Sequence, residues 1–312
     1  MTAPVAFFIF NRPDLTAKSF QVIREARPAE LFIVADGPRQ DRPGEAELCQ
    51  AARAVVDNID WPCEVRRNYS SENLGCAKRV SSGIGWVLEQ VDRTIILEDD
   101  CIADPSFFQF CEELLERYHA DERVMMISGN NFQFGRVRGI GSYYFTAYPK
   151  IWGWATWRRA WRHMDYEMRQ WRKLRDSDWL EDLVSDKWLA GHWRSCLDGV
   201  MDGRIDSWGY RWLFACLHTN GISIAPNVNL ISNCGFGPDA THTTGKEVVG
   251  NLPTGPIKFP LKHPVGMSPD HQADVYEGRV LHLPPKRRLK MKVKRLLQSS
   301  LPWPDLEWKR SL

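Results

Sequence analysis

The feature that most constrains this chain is a repeat in its first hundred residues. Short, unbroken apolar runs alternate with amphipathic helical patterns, and each run stops at charged or turn-forming residues. Residues 5–10 form the first run and end at Asn11-Arg12-Pro13. Pro13 suits a helix's first turn, with Leu15, Phe20, Val22 and Ile23 as its apolar positions. Residues 31–35 form the second run and end at Asp36-Gly37-Pro38, a turn signal. Residues 45–56 predict a helix, 63–67 a third strand, and 74–91 a helix with Asn73 as its N-cap. Residues 94–97 predict a fourth strand that runs straight into Glu98-Asp99-Asp100, and Pro105 opens a helix through residue 118. Strands without polar alternation are covered on both faces, which predicts a mostly parallel sheet between helices. Such sheets bind ligands at the carboxyl ends of their strands, which marks Arg12, Asp36 and the acidic triplet.

A chain of 312 residues, 43% hydrophobic, has enough apolar surface for a full core. The early apolar run falls far short of the roughly 20 residues needed to cross a bilayer, and no basic segment precedes it as in a signal peptide. The eight cysteines include no pair with the two-residue gap of a zinc or redox motif, so free thiols in a cytoplasmic protein are expected. Net charge is +2, but residues 286–312 hold nine Lys/Arg against Asp305 and Glu307. That segment is +7 and the rest is −5, which argues against a nucleic-acid binder.

Ten of the fourteen tryptophans lie between residues 143 and 212. Trp154, Trp157 and Trp161 recur at helical spacing, which predicts packing for most, with Trp154 and Trp208 expected to face ligand. Residues 221–237 return to strand character, and beyond residue 245 Gly and Pro predict loops. Residues 286–297 read as a basic amphipathic helix, either solvated or in peripheral contact with an anionic membrane on its inner face.

Glu98-Asp99-Asp100 is the strongest local signal. Three adjacent carboxylates at a strand end repel unless a positive group sits among them, and Mg²⁺ or Mn²⁺ would serve, held by one or two carboxylates plus substrate phosphates. The competing reading is a solvated acidic turn.

At this point the sequence resembles GT-A nucleotide-sugar glycosyltransferases, in particular bacterial family-2-like enzymes and N-acetylglucosaminyltransferase I. The resemblance rests on Phe10-Asn11-Arg12, Ala35-Asp36-Gly37-Pro38-Arg39, Asn73-Leu74-Gly75 with Lys78-Arg79, and Ile96-Leu97-Glu98-Asp99-Asp100 with Phe107-Phe108. It continues through Gly153-Trp154, then Asn233-Cys234-Gly235-Phe236-Gly237 and Asp239 to Thr243. The resemblance implies a GT-A, Rossmann-like α/β fold over residues 1–245, with a nucleotide-sugar half (1–130), a Trp-rich acceptor-side half (131–245), and loops and a basic tail over 246–312. It implies Arg12, Asp36 and Arg79 on the nucleoside diphosphate, and Glu98 and Asp99 facing ribose and donor sugar. Asp100 would ligate the metal, with His242 as a further ligand or a solvated imidazole.

The implied reaction is inverting transfer of a hexosyl or N-acetylhexosaminyl group from a nucleotide donor, UDP first, to a hydroxyl of a glycan, lipid-linked or other acceptor in polysaccharide synthesis. Its catalytic base is expected immediately after Trp208, where this chain has Gly209. Asp206 is the assigned substitute, with Asp202, Asp198 and Asp186 unassigned. Two alternatives stand beside this reading. One is a catalytically impaired, transferase-like carbohydrate- or nucleotide-binding protein, which Gly209 keeps in play. The other is a sugar nucleotidyltransferase, against which the glycine-free Asn11-Arg12-Pro13-Asp14 counts.

Overall fold

The computed structural model describes residues 3–184, 186–236 and 249–282. Its sheet begins as the apolar runs predict. β1 (Val5–Ile9) is buried along its whole length because alternate side chains enter different cores. Val5, Phe7 and Ile9 meet α1 (Pro13–Ala26), whereas Ala6 and Phe8 meet a core on the opposite face. β2 (Glu30–Ala35), α2 (Glu45–Val55), β3 (Glu64–Tyr69), α3 (Cys76–Leu88) and β4 (Arg93–Glu98) complete the repeat. β5 (Cys101–Ala103) and α4 (Ser106–Arg117) follow.

The second half contributes β6 (Val124–Ser128), β7 (Tyr143–Thr146), β8 (Trp154–Trp157), α5 (Arg158–Trp161), α6 (Trp171–Leu174) and α7 (Trp179–Leu183). Then come α8 (Lys187–Met201), α9 (Trp208–His218), β9 (Ile222–Pro226), β10 (Ile231–Asn233) and α10 (His271–Leu281). Eight strands make one mixed sheet in the order β3-β2-β1-β4-β8-β6-β9-β7. The first four run parallel, β8 is antiparallel to both of its neighbours, β9 is parallel to β6, and β7 is antiparallel to β9. Side chains of α1 and α4 fill one face and those of α3, α5 and α9 the other, so the fold is the expected α/β arrangement.

Two departures bear on the site. Trp154 and Trp157 lie on strand β8, not on a helix, so their three-residue spacing sends them to opposite cores. Trp154 is fully buried and meets Trp208, Trp161 and Trp212 at ring-centroid distances of 5.6, 6.1 and 5.9 Å. The second departure is α10, which arises where the sequence predicted loops. Its buried Asp274 accepts from Thr146 Oγ1 and the Ala147 N–H, and its buried Glu277 takes Lys150 Nζ at 3.3 Å and Gln133 Nε2 at 3.2 Å. Among the described residues, no helix is long and apolar enough to cross a membrane. None of the eight cysteines forms a disulfide.

Candidate functional site

A two-stranded ribbon closes the site. β10 pairs antiparallel with β5, directly after the acidic triplet, and so lays residues 233–236 over it. The Cys234 N–H donates to the Asp100 carbonyl at 2.9 Å, and Asn233 Nδ2 donates to Asp100 Oδ1 at 3.2 Å. Between this ribbon, the ends of β1, β2 and β4, the start of α3 and the loop before α9 lies a cavity of about 620 Å³. Arg12, Asp36, Arg79, Glu98, Asp99, Asp100 and Asp206 all line it. Sites in this size range hold small molecules and cofactors.

The positive group among the triplet is Arg12. It stands just before α1, pairs through Nη2 with Asp99, and lies 3.0 Å from Asp100 Oδ2. Asp99 is buried and also accepts the Phe10 N–H at 3.2 Å, while its carbonyl takes Ser19 Oγ at 2.9 Å. These contacts hold Asp99 in the cavity wall, with its carboxylate occupied by Arg12 and the Phe10 N–H. Burial works to loosen the Arg12 guanidinium's proton, but the charges of Asp99 and Asp100 outweigh it, so on balance the proton is harder to remove. Glu98 has no such pair. Burial and the charges of Asp100 and Asp99 raise its carboxyl, and Arg12 offsets this only in part.

Asp36 sits where expected, at the end of β2, but its carboxylate is full. It accepts N–H groups from Gly37 and Leu74 at 2.9 Å, from Gly75 at 3.1 Å, and Asn73 Nδ2 at 3.2 Å. Four donors occupy its roughly four lone-pair sites, so it pins the loop before α3 and has none to spare for a base or ribose. Asn73 is accordingly not the helix cap that was predicted. Gly75 is the residue before α3, at φ +77°, where L side chains are strained. Arg79 is buried too, donating from Nε to the Ala35 carbonyl at 3.1 Å and from Nη2 to Asn68 Oδ1 at 3.0 Å.

Asp206 is exposed and enters the cavity from the loop before α9, facing the start of α3. A Cβ placed on Gly75 would lie 3.2 Å from Asp206 Oδ2. Burial, then the charges of Glu98, Asp206 and Asp100, push the Cys76 thiol up, and all four residues line the cavity. Gly209, where an acid was expected, is buried one residue into α9. A Cβ there would lie 2.5 Å from Ile151 Cδ1, and it is Ile151 that lines the cavity.

Trp154 does not face ligand, because it is sealed in the indole cluster, whereas Trp208 does line the cavity. Sequence reading missed Trp152, Tyr210, Phe236, Asn233 and Arg39, which also line it. Trp152 and Phe236 meet edge-on at 5.5 Å. The Asn233-to-Phe236 run was in view, but only the ribbon pairing reveals that it crosses the triplet. His242 lies outside the described residues.

Among the described residues, no three His, Cys, Asp or Glu side chains are grouped to enclose a metal ion. The donor chemistry nevertheless fits a hard cation shared with substrate. Asp100 keeps 15% of its side-chain surface exposed, although Oδ2 pairs with Arg12, and only a glycine at 235 lets the ribbon pass beside it, since a Cβ there would collide with Oδ2. One carboxylate with phosphate oxygens and water is a sufficient set for Mg²⁺-like ions.

No protein-family model matches the sequence, and no curated protein matches it. Solved structures similar to this chain include the galactosyltransferase LgtC in complex with donor and acceptor sugar analogues, at 10% identity and TM-score 0.39, covering 92% of this chain and 99% of that one. S. aureus TarS 1–349 aligns at 10% identity and TM-score 0.38, over 73% of this chain and 58% of that one. UDP-glucose pyrophosphorylase complexed with UDP-glucose aligns at 8% identity and TM-score 0.36, over 73% and 90%. Against an active-site mutant of LgtC the chain spans 65% of the other's length.

Proposed function

We propose that the cavity binds a nucleotide-sugar, UDP-linked in the first instance, and that the protein transfers the sugar to an acceptor hydroxyl with inversion. The single observation that carries this is that Glu98 and Asp100, from a strand end, and Asp206, from the loop before α9, line one cavity of about 620 Å³. A site that only binds has no need of an unpaired carboxylate beside a metal-type carboxylate. A group transfer needs both, one for the leaving diphosphate and one for the incoming hydroxyl.

Asp100 would hold a Mg²⁺ or Mn²⁺ that offsets charge on the departing diphosphate. Arg12 and Arg39 add fixed positive charge at the same wall. Arg39 is braced by Glu45, which also accepts Asn11 Nδ2 at 2.9 Å. Trp152, Tyr210 and Phe236 offer apolar faces to sugar C–H groups. Asp206 makes no hydrogen bond or ion pair among the described residues, so its carboxylate is available to accept the acceptor's hydroxyl proton. The acceptor oxygen then bonds to the anomeric carbon as the bond to the diphosphate oxygen breaks. A single displacement from the Asp206 side inverts that centre.

The test is thermal unfolding with UDP and UDP-sugars, with and without Mn²⁺. A ligand of the folded state raises its midpoint by mass action. Metal-dependent stabilisation by UDP, lost in Asp100→Ala, is expected. Equal stabilisation in that variant would count against the site. A second reading, binding without turnover, has one observation behind it: Ile151 fills the space beside Gly209 where an acid was expected. Release of free sugar from the donor separates the two readings.

A further inference from the structure

The loop between β6 and β7 touches the cavity wall from behind at one residue. Phe132 packs edge-on against the cavity-lining Trp152 at 5.6 Å. A few residues on, Val137 is 68% exposed and Ile140 84% exposed. This loop is held in place: the Arg138 N–H donates to Asn227 Oδ1 at 2.8 Å, and Asn227 Nδ2 donates to the carbonyls of Arg138 and Gly141 at 2.8 and 2.9 Å. A second loop is stitched to its end. The Ser142 N–H donates to the Lys262 carbonyl at 2.7 Å, and the Lys262 N–H donates to Ser142 Oγ at 2.9 Å. That contact sets Val265, 98% exposed, on the neighbouring loop.

Charge on these loops has one sign. No Asp or Glu occurs from residue 123 to 164 or from 248 to 269, while Arg136, Arg138, Lys258 and Lys262 fall within those stretches. The Arg136 guanidinium lies 4.1 Å from the Tyr276 ring centroid on α10, which holds its charge at the base of the loop. Glu113 lies 3.7 Å from His263 of this loop pair, and Asp121 pairs with the Arg123 that meets Met267. Single exposed apolar residues are ordinary. Three of them on tethered, adjacent loops, among cations and almost without acids, have the composition of an interfacial anchor. A protein-binding hot spot favours Trp and Tyr in a desolvated centre, and this lip exposes neither.

We propose that the lip formed by Val137, Ile140 and Val265 docks on an anionic lipid surface, with the apolar side chains entering the interface and Arg136, Arg138 and Lys262 meeting headgroups. Because Phe132 meets the cavity-lining Trp152, and because β6 and β9 end at the same edge of the sheet as β1 and β4, docking brings that edge and its cavity to the lipid layer. Resting on the transferase reading, this makes the acceptor lipid-carried.

The test is flotation of the full chain with vesicles of phosphatidylglycerol in phosphatidylcholine, beside vesicles of phosphatidylcholine alone. Binding only to the anionic vesicles is expected. The triple variant Val137→Ser, Ile140→Ser, Val265→Ser should lower the partition coefficient at least about tenfold. Its unfolding midpoint and its stabilisation by UDP should match the unaltered protein, which separates this test from that of the donor site. Equal flotation of the triple variant, which would place the attachment in the basic tail, overturns the proposal. So does an unaltered protein that ignores anionic vesicles or self-associates through this face instead.

Discussion

Arg12 Nη2 lies 3.0 Å from Asp100 Oδ2 while pairing with the buried Asp99, so one guanidinium carries the countercharge for two acids. Removing it leaves Asp99 charged and uncompensated in the wall. Losing one partner of such a pair costs about 3–5 kcal/mol. Arg12→Met should therefore lower the denaturation midpoint sharply, and adding Asp99→Asn should recover most of the loss. An Arg12→Met protein as stable as the parent would show that Asp99 is neutral in the fold.

Asp100 is one carboxylate, not a cage, which has a consequence for metal affinity. Mn²⁺ alone should raise the unfolding midpoint little, UDP alone modestly, and the two together by more than their sum, because each supplies ligands for the other. Calorimetry that found tight Mn²⁺ binding to the protein without nucleotide would point to further ligands.

The parallel half of the sheet was legible because both faces of β1, β2 and β4 are covered and their sequences show it directly. The strand-end rule placed Arg12, Asp36 and the triplet at one cavity without any contact information. It did not reveal what each side chain holds, because hydrogen bonds from Leu74 and Gly75 to Asp36 join segments far apart in the chain. Trp154 and Trp157 misled because three-residue spacing is also two sides of a strand. α10 was hidden because its buried face carries Asp274 and Glu277, acids that read as solvent-facing until Thr146 and Lys150 are found against them.

The indoles divide accordingly. Trp154→Ala would open a cavity in a closed aromatic cluster and cost about 3–5 kcal/mol, with little effect on donor KM once folded. Trp152→Ala, at the half-buried cavity wall, should cost less stability than Trp154→Ala and weaken substrate binding. The reverse pattern would exchange their roles.

His282 titrates against the fold. Burial, then the nearby His192 charge, lowers its pKa from 6.5 to about 3, and its ring stacks on His192 at 4.5 Å between centroids. Below pH 6.5 the unfolded chain takes up a proton that the folded chain refuses, so the unfolded state binds more protons there. Stability present above pH 6.5 is therefore lost as pH falls toward about 3. His282→Phe keeps a ring in the stack and removes this proton. Urea midpoints of the two proteins should agree at pH 8 and diverge at pH 5 in favour of the variant. Parallel midpoints across that range would mean the imidazole is solvated in the folded protein.

Asp206 and Gly209 can be separated by kinetics. If Asp206 accepts the hydroxyl proton, Asp206→Asn should lower kcat by about 10²–10⁴ with donor KM nearly unchanged. Gly209→Asp should not restore the loss, because its Cβ would meet Ile151 Cδ1 at 2.5 Å and the side chain could enter the cavity only by displacing it. Room for the new carboxylate requires Ile151→Ala in the same chain, at a further stability cost from the lost packing. Recovery of turnover in Asp206→Asn, Gly209→Asp, Ile151→Ala, but not without Ile151→Ala, is the expected order. Recovery by Gly209→Asp alone would show that Ile151 yields freely, and an Asp206→Asn protein with full turnover would move the base to another residue.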